Sequence, residues 1–273
     1  MSLRSAAVIA WLSGAVLAAA QPADLPDRDT FLRGAREALA RSQQVWHRYA
    51  YTERRTDLHM NPFGRMGTGD TRVLEVRPSA DPRLTYRRVI ERNGVPVSKA
   101  ELDRQDREYQ ERSARIERES AGGTARARDG DDLLARRRAQ HTLDDVLKTL
   151  RFELVRREPY NGRPAIVVAF AAAPDARPVT REGRIARVFK GQVWIDEASR
   201  EVMHVAAVAT DDVSFGGFIA KIYEGMEAVV DRQAIEPDVW MPVRLKLSGG
   251  VRALFRKANI EYLVEWSDYR SLP

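Results

Sequence analysis

The sequence predicts an α+β protein: one strongly curved antiparallel sheet, a half-open β-barrel, with helices packed on its concave side and a helical insertion. Three observations predict it. After Leu150 the chain is almost wholly β in pattern, its alternation broken by tight turns, as an antiparallel meander requires. Residues 99–150 instead carry helical periodicity between two strand-rich halves. Finally, Ala165 to Ala171 and Val202 to Ala209 are apolar on both faces, so these central strands should be covered twice. Helices can cover one face. The curl of the sheet itself, or an apolar ligand, must close the other.

The chain opens with a short basic start ending at Arg4, an apolar run from Ala6 to Val16, and Ala18-Ala19-Ala20 before Gln21. That is the layout of a cleaved signal peptide, and the run is too short to span a bilayer comfortably. The expected organisation is therefore a signal peptide over 1–20 and a single half-barrel domain over 21–273. The helical insertion 99–150 lies within that domain, partly exposed over 99–130. The expected destination is the periplasm or another exported compartment. The sequence has no cysteine, which excludes thiol chemistry and a lipid-anchor cysteine. Its 45 basic and 39 acidic residues give a net charge of +6, but the signs are interleaved. No large single-sign field follows, so nucleic acid is not an expected partner, and peripheral contact with an anionic membrane surface is the more sensible consequence.

In chain order, Asp29 or Thr30 is the expected cap of a first helix running to Gln44 or Trp46, with Phe31, Ala35, Ala38, Leu39, Ser42 and Val45 as its apolar stripe. Trp46, Tyr49 and Tyr51 lead into a strand over about 47–58. Gly67-Thr68-Gly69-Asp70 reads as turn chemistry, followed by strands over 71–77 and 83–91 and an Asn93-Gly94 hairpin turn. Thirteen of the twenty-one residues over 99–119 are charged, and only Leu102, Tyr109 and Ile116 form an apolar seam, so this is a mostly solvated helix. Residues 121–130 break it and read as disordered, and a second helix over 131–150 packs through Leu143, Val146, Leu147 and Leu150. Strands follow over 152–157 and 165–170 around Asn161-Gly162, then 189–196, 202–210, 219–229, 243–247 and 260–267, for nine to eleven in all.

The stretch Lys190-Gly-Gln-Val-Trp-Ile-Asp196, the turn Glu197 to Arg200, and the strand through Val202, Met203, His204 and Val205 resemble the strand–turn–strand of the periplasmic outer-membrane lipoprotein carrier (LolA/LolB-like) superfamily. The early helix, the tyrosine-containing strand and the Asn93-Gly94 hairpin are similar to its first half. The resemblance implies a curved half-open sheet with helices on the concave side and a concavity that binds acyl chains or lipoproteins. The 99–150 insertion is longer than that family's usual helical lid, which marks an uncharacterised exported branch.

Chemistry-bearing motifs are sparse. His47, His59, His141 and His204 lie outside H-E-x-x-H or H-x-H spacing. His141 with Asp144 and Asp145 offers a poor metal site, Asp211-Asp212 reads as a solvated turn, and His204 reads as a hydrogen-bonded core histidine. No nucleophile–base pair stands out, and neither a cofactor nor a metal is expected. The candidate ligand-contacting residues are apolar: Phe215, Phe218 and Ile219 around Gly216-Gly217 as a tip touching cargo or membrane, and Trp194, Met203, Tyr223, Trp240, Tyr262 and Trp266 as the wall of a concave pocket. The expected function is non-enzymatic: carriage of a lipid, an acyl chain or a lipidated protein. The alternative is a periplasmic interaction or sensor module whose half-barrel is filled by its own side chains.

Overall fold

The computed structural model describes residues 24–60, 66–79, 81–121, 140–215, 220–253 and 256–272. The expected signal peptide and the 121–130 break, apart from Ala121, lie outside the described residues, as does the start of the expected second helix over 131–139. Helix α1 is Arg28–Val45, followed by strands β1 (Tyr49–Met60), β2 (Met66–Arg77), β3 (Tyr86–Arg92) and β4 (Val95–Pro96). Helix α2 is Lys99–Ala121, and α3 covers residues 140–149. Strands β5 (Leu150–Arg157) and β6 (Ala165–Ala172) follow, then α4 (Arg181–Ala186), β7 (Phe189–Asp196), β8 (Val202–Ala209), β9 (Val213–Phe215), β10 (Ala220–Ile222), β11 (Glu227–Glu236), β12 (Val239–Ala253) and β13 (Arg256–Ser271).

All thirteen strands join one sheet, and every pairing is antiparallel. The order β4-β3-β2-β1-β13-β12-β11-β8-β7-β6-β5 brings the chain's last strands between its two halves, and the curved sheet stays open. Both Asn-Gly turns form as expected, with φ of 51° and 78° at Asn93 and Gly94 and 48° and 75° at Asn161 and Gly162.

Helix α1 lies across this sheet. Asp27, not Asp29 or Thr30, caps it: its carboxylate accepts from the Thr30 amide at 2.9 Å. Asp29 sits instead in the first turn, where its charge favours the helix N-terminus. Phe31 and Ala35 pack on Ile166, Val168 and Ile195 of β6 and β7, while Leu39 and Ser42 reach Met241 and Trp266 of β12 and β13. An eighteen-residue helix is about 27 Å long, close to the width of the six strand steps from β6 to β1 at about 4.8 Å each. Arg200, held at φ 65°, places its guanidinium 4.6 Å from the Phe31 ring.

Helix α2 takes a different place. Its seam residue Tyr109 packs edge-on against Tyr86 and donates to the Leu84 carbonyl, and Ile116 is buried. Gln105 both accepts from the Val89 amide (2.8 Å) and donates to its carbonyl (3.1 Å). One side-chain amide thus stands in for a neighbouring strand along the outer edge of β3.

Three segments depart from the sequence reading. Gly67-Thr68-Gly69-Asp70 is strand, because the β1–β2 ladder continues through Leu58↔Thr68 and His59↔Gly67. The expected strand over 219–229 is interrupted: Gly225 at φ 81° turns the chain, so β10 pairs with the far end of β12 and β11 with its near part. The double cover expected of both apolar strands holds for β6, whose Ala165, Ile166, Val167 and Val168 are fully buried. On the face away from α1, Val167 lies between Arg156 and Trp194 of the adjacent strands, so large cross-strand side chains cover it rather than curl or ligand. Along β8, Val205 to Val208 are only partly buried.

Candidate functional site

The strand registers fix which residues share the face that carries α1. Moving away from the helix along each strand, that face presents Val193, then Phe189, on β7; Val205 and Ala207 on β8; Val230 and Ala228 on β11; Leu245 and Leu247 on β12; and Val264 and Tyr262 on β13. All are apolar or aromatic, and all but Val264 are only partly buried. The opposite face is mixed: it presents Lys190, Gln192, Arg244, Lys246, Glu261 and Glu265 beside Trp194, Ala206, Val208, Val229 and Leu263. The α1 face is therefore the apolar one, and α1 covers only part of it.

Two cavities open on it. The first, about 330 Å³, lies under the C-terminal half of α1. Leu39 and Gln43 of the helix form its roof, Trp46 its half-exposed lip, and Tyr51, Trp266 and Tyr269 its far wall. Burial raises the Tyr51 phenol, with the charge of Glu53 adding to it, and burial likewise raises Tyr269, so both rings stay neutral. Tyr269 donates to the Pro242 carbonyl. At the inner end Arg232 is held by Glu201 (3.1 Å) and the carbonyls of Val202 (3.2 Å) and Trp240 (2.9 Å), and the Ser42 hydroxyl donates to Glu201 at 2.9 Å. Burial lowers the Arg232 guanidinium, and the Glu201 carboxylate opposes that shift. With its charge matched, this network closes the cavity without offering a free ion to a ligand. The second cavity, about 320 Å³, lies beyond α1 and is lined by Leu150, Phe170, Ile185, Phe189, Ala207 and Leu247 among others, all apolar.

The sequence-derived candidates divide. Trp240 and Trp266 line the first cavity. Tyr262 packs beside the second, in the cluster of Ala209, Met226 and Ile260. Trp194 and Met203 do not line either cavity, although Met203 and Ala165 pack with Trp240 in one buried cluster that Trp194 borders. Ile195 pairs with Val202 and Trp194 with His204, so Met203 is an extra, bulged residue, and both Met203 and Trp194 lie on the face away from α1. Tyr223 rests on Gly250 in the turn after β10. Phe215 ends β9, and Phe218 and Ile219 lie outside the described residues. The sequence reading missed Leu39, Trp46, Tyr51, Arg232 and Tyr269. The Trp46–Tyr49–Tyr51 strip carried the signal, but periodicity alone did not say that the last strand would pair beside it.

The polar candidates are structural. His204 lies against Asp231 (2.6 Å) and Tyr160 (3.1 Å), stacked on the tyrosine ring, as a hydrogen-bonded core histidine should. Burial pushes the Tyr160 phenol up to about 12, and its hydrogen bond to Asp231 adds to the shift. Asp145 accepts from the Val179 and Thr180 amides and from the Thr180 hydroxyl, which organises the start of α4 rather than a metal site. Asp212 pairs with Lys221 and accepts from the Glu224 amide, within a turn. Among the described residues no cluster of three His, Cys, Asp or Glu side chains is arranged to hold a metal, and no helix is long and apolar enough to cross a membrane.

No family model matches the chain, and no curated protein sequence matches it. In structure it is similar to an outer membrane lipoprotein-sorting protein domain from Vibrio parahaemolyticus, at 11% identity over 90% of this chain and 93% of that one, with a TM-score of 0.33. It is also similar to a LolA superfamily protein from Nitrosomonas europaea, at 8% identity, 91% and 96% coverage, and a TM-score of 0.33. A DUF1329 family protein from Desulfovibrio piger matches at 10% identity, 88% and 92% coverage, and a TM-score of 0.30.

Proposed function

We propose that this protein is an exported, non-enzymatic carrier that binds an acyl chain, a lipid or the lipid of a lipidated protein on the α1 face of its sheet. The observation that carries the reading is an apolar face left partly bare: one cavity of about 330 Å³ lies under α1 and another of about 320 Å³ beyond it, with mainly aliphatic and aromatic walls and with the Arg232–Glu201 pair and the Tyr269 hydroxyl already hydrogen-bonded. Covering such a face stabilises a complex by about 25 cal/mol per Å² of apolar surface removed from water. The neutral phenols and the satisfied Arg232–Glu201 pair suit a ligand held by area rather than by charge.

Native mass spectrometry of the protein purified gently from a periplasmic extract, with lipid extraction of the same sample, tests this. Near-stoichiometric acyl species support the carrier. A clean ligand-free mass, together with no uptake of added lipid, moves the weight to an interaction module working through its protein surface.

A further inference from the structure

The strongest unexplained feature beyond the two cavities is a groove of about 740 Å³ between α2 and the segment leading into β3. Arg83, Arg87, Arg112 and Arg115 line it, against a single carboxylate, Glu119, and the apolar side chains of Pro82 and Ile116. Arg83 is engaged by Asp81. Arg87 is half-exposed, 3.7 Å from Glu53 and hydrogen-bonded to the Tyr51 phenol. Arg112 lies 5.4 Å from the centre of the Tyr109 ring, and among the described residues no carboxylate pairs with Arg112 or Arg115. Arg112 and Arg115, one turn apart on a helix, line the groove with Arg87 and so bring three guanidiniums to one place, the charge and the donor type that a phosphate group takes.

The position of the groove gives that phosphate a context. Arg87, Val76 and Tyr51 form one row across β3, β2 and β1 on the α1 face, and Tyr51 is a wall of the first cavity. Two strand steps, about 10 Å, separate Arg87 from that wall. Glu53 bridges the same gap, accepting from the Trp266 indole at 3.2 Å on its cavity side and facing Arg87 on the other. The span is shorter than a dodecyl chain.

We propose that the α2 groove binds the phosphate headgroup of an amphiphile whose acyl chain occupies the cavity under α1. This rests on the carrier reading above and names the headgroup class. Binding then joins two contributions, apolar area under α1 and charge-assisted hydrogen bonds at Arg87, Arg112 and Arg115, and the second weakens in salt.

Isothermal titration of the full mature chain with three probes tests it: dodecyl phosphate and dodecyl maltoside below their micelle concentrations, and inorganic phosphate. The expected result is that dodecyl phosphate binds at least about tenfold more tightly than the maltoside. In the Arg112→Gln/Arg115→Gln variant that advantage disappears while maltoside binding is unchanged, and circular dichroism confirms that α2 is intact. Equal binding of both amphiphiles, unaltered by the variant, overturns the headgroup assignment and leaves the carrier reading standing. If neither amphiphile binds, the carrier reading fails and takes the assignment with it. Inorganic phosphate bound through Arg112 and Arg115 in that case makes the groove a site for free phosphate instead.

Discussion

Arg232 shows what a single charge costs beneath a helix. Its side chain is 10% exposed and that of Glu201 4%, so each ion depends on the other. Arg232→Ala strands the carboxylate and is expected to lower unfolding free energy by about 3–5 kcal/mol in urea titrations, whereas Arg232→Met with Glu201→Leu recovers most of that loss. Asp196 makes a second prediction. Burial by itself raises its carboxyl, but the hydrogen bond from Arg163 and those from the Ser199 amide and hydroxyl outweigh burial and hold it below its ordinary value. A carboxyl depressed in the folded state contributes stability that is complete above its unfolded value, about 3.9, and is lost as pH falls through the folded value. Thermal melts from pH 6 downward should therefore show the wild type losing stability below about pH 4, and Asp196→Asn, less stable at pH 6, losing less over that window.

At the scale of elements, the contact between α2 and β3 is the most informative. Gln105 satisfies both backbone groups of Val89, so Gln105→Ala leaves an edge amide and carbonyl to water. The Val89 amide is expected to exchange its hydrogen about tenfold faster, in keeping with roughly 0.5–1.5 kcal/mol per hydrogen bond handed to water, while amides of β6 keep their protection. The seam Leu102, Tyr109 and Ile116 was legible as one helix face, because a seven-residue spacing returns to one side of a helix. Which strand that face meets was not, because, beside the Tyr86 ring, the helix is met by the Leu84 carbonyl and, through Gln105, by both backbone groups of Val89, and these leave no mark in the side-chain pattern. The Asn-Gly hairpins were legible for the opposite reason, as positive φ selects residue type directly. Trp194 faces away from α1 because it alternates along β7 with Ile195, which packs under the helix, and its residue type alone could not say which face the helix covers. The glycines of 67–69 misled because glycine marks turns only where the partner strand has ended.

For the molecule as a whole, the sheet order places the C-terminal strands β12 and β13 between the halves, and this makes the α1 face continuous from β6 to β1. Part of the candidate site was readable as a set of aromatic strand residues, since Trp240 and Trp266 do line the first cavity. The rest, including Leu39, Trp46, Tyr51 and Tyr269, is brought together by the long-range β1–β13 pairing and the path of α1 over it. Both faces now carry a tryptophan at a known place: Trp266 in the cavity wall and Trp194 on the far side against Tyr160. The most direct test of the account is quenching by a dibrominated stearic acid in two variants that retain a single tryptophan, Trp266 or Trp194, with Phe at the others. The account predicts saturable one-to-one quenching of Trp266 and no comparable loss at Trp194. Equal quenching of both, or none at Trp266, contradicts an acyl chain bound on the α1 face.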